Sequence, residues 1–270
     1  MIDYKLIFKG MIIGLAKIFP GVSGSLLAVS LGIYGVAIEA ISHPFRDFKR
    51  NIILLGNVGI GVIFSIVLFS NIVSYFLSKY FFLTVLLFIG FILGTFPEII
   101  KETYIETKKD CFIIALIAIF LFLLSNFRSS TTFIYQNTYF DNLYVFFLGF
   151  IDATTMVIPG ISGTAIFLLL GSYSFVLELF ASFVNFSSYF VPLLLFLLGL
   201  FIGVILVSKF MNYALEYKRK STYLCIFGFA LSSIFLLCMD LFSMDASIYE
   251  VIFGIFLFMI GYKISVRLNI

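Results

Sequence analysis

Two hexapeptides hold the residues best suited to chemistry: Pro20-Gly21-Val22-Ser23-Gly24-Ser25 and, 139 residues later, Pro159-Gly160-Ile161-Ser162-Gly163-Thr164. Proline interrupts a helical hydrogen-bond ladder, and glycine lets the backbone turn. Each motif is therefore expected to end one half-helix and begin another. The N–H groups of residues 22–25 and 161–164 are then left without intrahelical partners. Such groups, at the positive end of a helix dipole, favour an anion. The hydroxyls of Ser23, Ser25, Ser162 and Thr164 add donors. The alternative is a simple kink, with each serine capping its own backbone. One motif alone favours the kink, whereas two matched copies favour a shared anion site.

The copying extends beyond the motifs. At the same offset, residues 10–39 and 149–178 share ten identities, including Gly10/Gly149, Leu31/Leu170, Gly32/Gly171, Tyr34/Tyr173 and Glu39/Glu178. Gly32/Gly171 and Tyr34/Tyr173 read as packing residues and interface anchors. Lys17 lies one turn before the first break, where it is either an anion partner or a charge that snorkels or pairs with Asp152. Asp152, whose counterpart is Ile13, is either a proton carrier or an interfacial carboxylate. Glu39 and Glu178 close the two hairpins as coupling carboxylates or as solvated partners of loop cations such as Arg46. His43 is the single histidine, which argues against a histidine metal site or triad. Cys111, Cys225 and Cys238 lack metal-ligand spacing and read as small core residues.

The elements that must position these groups are membrane helices. The 270 residues are 62% hydrophobic and 11% charged, against about 25% charged in soluble domains. Mean hydropathy is +1.18. No segment reads as a cleaved signal peptide, and the net charge of +3 comes from loops, as expected for membrane topology rather than nucleic-acid binding.

After the first motif come three apolar spans, near 52–77, 81–99 and 111–125. After the second come three more, near 190–214, 223–241 and 247–265. The expected fold is an all-α polytopic membrane protein. It has an inverted-topology repeat, with two broken-helix re-entrant hairpins (5–41 and 143–183) and about six transmembrane helices. The halves are 1–125 and 143–270, joined by a polar linker at 126–142. The arms at 6–19 and 143–158 are short for full spans, which favours re-entry.

Cations test that layout. Lys5, Lys9, Arg46, Lys49, Arg50, Lys101, Lys108, Lys109, Lys218, Arg219, Lys220, Lys263 and Arg267 all fall on one side of it. The other side receives little beyond Lys79 and Arg128. The rich side, with both termini, is expected in the cytoplasm. Few polar residues interrupt the spans, which favours a lipid over a small soluble anion as cargo. The scattered acids and single histidine argue against an intramembrane enzyme.

On the paired motifs, in this order and spacing, the chain resembles the polyprenyl-phosphate translocase family of bacterial and archaeal membrane proteins. The resemblance covers nearly the whole chain. It implies a bacterial plasma-membrane protein that returns undecaprenyl phosphate from the outer to the inner leaflet for cell-wall synthesis; no catalytic residue or cofactor is expected. Protons or another ion would drive it. The family's first motif usually continues Gly-Thr where this chain has Ser25-Leu26, so a hydroxyl is kept but displaced by one position.

Overall fold

In the structure, a computed structural model that describes residues 2–18, 22–126, 132–181 and 186–268, each motif is followed by two short helices. In the first half α1 (Tyr4–Ile18) leads to the motif, then α2 (Gly24–Ser30) and α3 (Tyr34–Ser42). In the second half α8 (Tyr139–Val157) leads to α9 (Gly163–Leu169) and α10 (Tyr173–Ala181). Both short helices of each half begin and end at the 139-residue offset. The bend between α2 and α3 is 116°.

Gly32 and Gly171 make that bend. Both have φ +66, the left-handed region that favours glycine. Gly32 N–H donates to Val29 C=O at 3.0 Å and Ile33 N–H to Ala28 C=O at 3.1 Å. The twin bonds run from Gly171 to Leu168 at 3.2 Å and from Ser172 to Phe167 at 2.9 Å. These are the paired bonds of a glycine-terminated helix. The two glycines are thus turn formers, more than the packing residues expected.

Six further helices and one bent continuation complete the chain: α4 (Phe48–Lys79), α5 (Phe81–Leu93), α6 (Phe96–Thr103), α7 (Lys108–Asn126), α11 (Phe186–Tyr217), α12 (Arg219–Phe242) and α13 (Ile248–Leu268). Main packing partners are α1 with α4, α8 with α11, α5 with α13 and α7 with α12. Exchanging the halves leaves this pairing unchanged. Glycines let the pairs close. A Cβ on Gly10 would overlap the Val58 carbonyl, and one on Gly61 the Ile7 carbonyl. Gly149 and Gly199 stand likewise on Phe196 and Phe146. Small residues that admit a neighbouring backbone are how membrane helices pack without a hydrophobic drive.

Six segments among the described residues are long and apolar enough to cross a membrane, and the protein is an all-α polytopic membrane protein. Their membership differs from expectation at one arm. The arm expected to be short, 143–158, is helical from Tyr139 to Val157 and reaches spanning length. A capping box starts it early: Asp141 N–H donates to Thr138 Oγ1 at 3.2 Å, and Thr138 N–H to Asp141 Oδ2 at 3.1 Å. The last residues of the expected linker therefore belong to α8. The expected span 111–125 lies within α7, whose first turn adds Lys108, Lys109 and Asp110. Cys111 is exposed on α7 rather than in the core.

Ion pairs join the halves at one end. Arg219 Nε meets Glu102 Oε2 at 2.6 Å, and Lys220 Nζ meets Asp110 Oδ2 at 3.0 Å. The start of α12 thus lies beside α6 and the start of α7.

Candidate functional site

The two turns meet. Ser25 Oγ, from the first, donates to the carbonyl of Ile158, the residue before Pro159 of the second, at 3.3 Å. One helix later, the Tyr34 hydroxyl donates to Val157 C=O at 2.9 Å in the buried interior. Both acceptors are carbonyls at the end of α8, which the proline break leaves without intrahelical donors. Tyr34 is accordingly an internal clamp and not an interface anchor.

At the first turn Ser23 has an extended backbone and caps α2 with its carbonyl, which accepts from Leu26 N–H at 3.1 Å. Its side chain makes no cap bond. Instead Ser23 Oγ and Ser25 Oγ lie 2.8 Å apart, both buried. Val22 and Gly24 are buried beside them, while Pro20 and Gly21 lie outside the described residues. A Cβ on Gly24 would stand 3.3 Å from Ile13 O and 3.4 Å from Lys17 Cγ. Lys17 is therefore adjacent to the first turn, and its side chain is exposed. Lys9 Nζ donates to Leu31 C=O at 2.6 Å, a cation on the C-terminal carbonyls of α2.

The second turn differs. Gly160 has φ +87 and sits on the α12 backbone, where a Cβ would lie 2.6 Å from Phe229 Cβ and 3.0 Å from Ala230 N. Ser233 Oγ donates to Gly160 C=O at 2.8 Å. A Cβ on Gly163 would stand 2.7 Å from Thr155 Oγ1 and 3.5 Å from Asp152 Oδ1. So Asp152 and Thr155, whose counterparts in the first half are Ile13 and Ala16, flank the second turn. Lys17 and Asp152 interact electrostatically across the meeting point.

A cavity of about 40 Å³ opens beside the second turn, walled by Gly160, Ile161 and Ser162, by Leu121 and Leu124 of α7, and by Ser232, Ser233 and Leu236 of α12, among others. Ser162 lines this cavity, while at the first turn Ser23 Oγ lies against Ser25 Oγ. The Ser232 hydroxyl is buried without a hydrogen-bond partner among the described residues. Sequence reasoning missed Ser232 and Ser233, because nothing distinguishes two serines in an apolar helix until α12 lies on the turn. The Thr164 side chain lies outside the described residues.

Glu39 and Glu178 are exposed, on the far halves of α3 and α10. Glu39 lines a small hollow with Arg46, Asp47 and Arg50, and Glu178 accepts from the Tyr189 hydroxyl at 3.4 Å. Neither is brought to the turns.

Fold and site define a multi-pass helical membrane protein whose two matched hairpins bring polar turns together inside the bundle. Residues 13–244 match the model of the undecaprenyl phosphate translocase-like family, and the chain belongs to that family. It is similar to a polyprenyl-phosphate transporter of Staphylococcus aureus (strain NCTC 8325 / PS 47), 30% identical over 97% of this chain and 95% of the relative. It is also similar to one of Vibrio cholerae serotype O1 (strain ATCC 39315 / El Tor Inaba N16961), 28% identical over 84% of this chain and 74% of the relative. No solved structure matches.

Proposed function

We propose that the chain carries a polyprenyl phosphate, undecaprenyl phosphate in its bacterial setting, from the outer to the inner leaflet without cleaving it. The observation that carries this reading is the meeting of the two turns through Ser25 and Ile158, in a chain whose relatives are named transporters of that lipid class. The Ser162 and Ser232 hydroxyls and the second-turn backbone supply donors to the phosphate, and Lys17 supplies charge. An arriving phosphate satisfies the unpartnered Ser232 hydroxyl and replaces Asp152 as counter-charge to Lys17. Asp152 then takes up a proton, which couples transport to a proton gradient. The symmetric helix pairing supports an inverted repeat, in which each half opens the same site to one leaflet.

The test is leaflet-resolved movement of labelled undecaprenyl phosphate in proteoliposomes, with phosphate release measured in parallel. Movement without release is expected; release would make the protein an enzyme, and movement of a soluble anion alone would reassign the substrate. Ser162→Ala should slow movement while leaving thermal stability near wild type. Lys17→Ala should cost more, weakening lipid-phosphate binding roughly tenfold or more, the usual scale for a charge-assisted hydrogen bond. Asp152→Asn should leave binding and flatten the pH dependence of transport. Wild-type behaviour in all three variants would place the site elsewhere.

The cation distribution supports cytoplasmic termini and a cytoplasmic loop at residues 218–220. An impermeant thiol reagent added to intact cells should leave a cysteine placed at Ser221 unlabelled, in a chain whose native cysteines are replaced by alanine. Labelling there would reverse the orientation.

A further inference from the structure

Away from the turns, the connection from α3 to α4 and the last third of α11 line an open hollow of about 750 Å³. The connection contributes His43, Phe45 and Arg46; α11 contributes Lys209, Asn212 and Tyr213. Local bonds fix the connection, since Asn51 Nδ2 donates to His43 C=O at 3.1 Å and Phe45 stacks on Phe48 at 6.2 Å.

Three observations give this space an occupant. First, neither Arg46 nor Lys209 forms an ion pair among the described residues, where the pairs involve Arg219 and Lys220. Glu216 is the one carboxylate on the wall, against two permanent cations. The pocket therefore has charge for an anion.

Second, its depth is that of lipid headgroups. α11 has 32 residues, roughly 48 Å at 1.5 Å per residue, against a hydrocarbon core of about 30 Å. Its last turns must project into the headgroup layer. The apolar run of α11 ends at Val207, so Lys209 stands where the core ends. Exposed Phe45 and Tyr213 offer apolar surface beside the cations.

Third, the repeat does not copy the charge. The twin of Lys209, at the 138-residue offset that relates α4 to α11, is Asn71. The twin of Arg46, at the 139-residue offset, is Asn185. A feature present at one end of a twofold-like fold and neutral at the other separates the two leaflets. It is not explained by packing that both halves share.

We propose that this pocket is a headgroup site for a lipid phosphate in the leaflet bordered by the basic loops, with Arg46 and Lys209 as its anion ligands. Phe45 and Tyr213 hold the first carbons of the tail. The site is separate from the turns and stands whether or not they bind phosphate.

The chain contains no tryptophan, so Phe45→Trp places a single tryptophan at the pocket mouth, excited selectively at the red edge where tyrosine does not absorb. The purified full-length reporter in phosphatidylcholine nanodiscs is titrated with polyprenyl phosphate, phosphatidylglycerol and inorganic phosphate. A saturable emission change is expected with lipid phosphate and not with inorganic phosphate at millimolar concentration. It should weaken roughly tenfold or more after Lys209→Gln or Arg46→Gln, and persist after Ser162→Ala. A response to polyprenyl phosphate alone identifies the cargo as occupant, and a response to both lipids identifies a general anionic headgroup; either supports the proposal. Three results overturn it: no saturable response, a response indifferent to both Gln variants in folded protein, or an equal response to inorganic phosphate. Failure of the turn site would instead appear as wild-type transport in Ser162→Ala, with this titration unchanged.

Discussion

Gly160→Ala is expected to damage the second turn more than any serine replacement, in stability as well as transport. The residue has φ +87, and a Cβ would lie 2.6 Å from Phe229 Cβ and 3.0 Å from Ala230 N. The left-handed backbone alone costs about 1–2 kcal/mol for an alanine. Crowding a packed interior adds roughly 1–3 kcal/mol. The clash cannot be relieved by a rotamer change, because α12 backbone atoms are among those struck. Relief requires the turn to move off α12, which stretches the 2.8 Å bond from Ser233 Oγ to Gly160 C=O and changes the cavity shared by Ser162 and Ser232. Gly32→Ala is the control, since Gly32 has φ +66 with nothing within 4 Å of a Cβ. Thermal unfolding in detergent should fall modestly for Gly32→Ala and much further for Gly160→Ala, with lipid transport lost only in the latter. Equal unfolding temperatures would show that α12 does not press on the turn.

The same contrast separates what could be read from the chain and what could not. The hairpins were legible because proline and glycine act locally: their effect on the backbone depends little on what surrounds them. Repetition of Pro20-Gly21 as Pro159-Gly160 then indicated that the breaks serve one purpose. The left-handed bends at Gly32 and Gly171 are equally local, yet an isolated glycine in an apolar run does not reveal its φ. The start of α8 was missed because Thr138 and Asp141 look like linker residues until they bond reciprocally across the first turn. Ser232 and Ser233 depended on tertiary contact alone. So did the inequality of the turns. Sequence symmetry predicts equal roles for Ser23 and Ser162; Ser162 lines the cavity beside α12, and Ser23 Oγ lies 2.8 Å from Ser25 Oγ. The substitutions Ile13 to Asp152 and Ala16 to Thr155 were visible in the repeat alignment. Their meaning came only when both proved to flank Gly163.

The largest stability effect is expected where α8 crosses α11. A Cβ on Gly149 would overlap the Phe196 carbonyl oxygen and stand 2.8 Å from its carbon; a Cβ on Gly199 would overlap the Phe146 carbonyl and stand 2.9 Å from its carbon. The two glycines thus seat each helix on the other's backbone, as Gly10 and Gly61 do for α1 and α4. Leucine at either position must push the axes apart along the whole crossing. In lipid no gain from hiding apolar surface offsets that separation, so close packing is most of what holds the pair. Moving α8 also displaces Val157 and Ile158, the carbonyl partners of Tyr34 and Ser25, so the turns part as the helices do. Gly149→Leu and Gly199→Leu should therefore give little monodisperse protein, with unfolding temperatures well below wild type. Gly56→Leu, on the exposed face of α4 with nothing within 4 Å of its Cβ, should behave like wild type. Because Gly10 and Gly61 repeat the geometry, leucine there should fail as well. A Gly149→Leu protein as stable as Gly56→Leu would mean that α8 and α11 do not cross at these glycines, and the meeting of the two turns would lose its support.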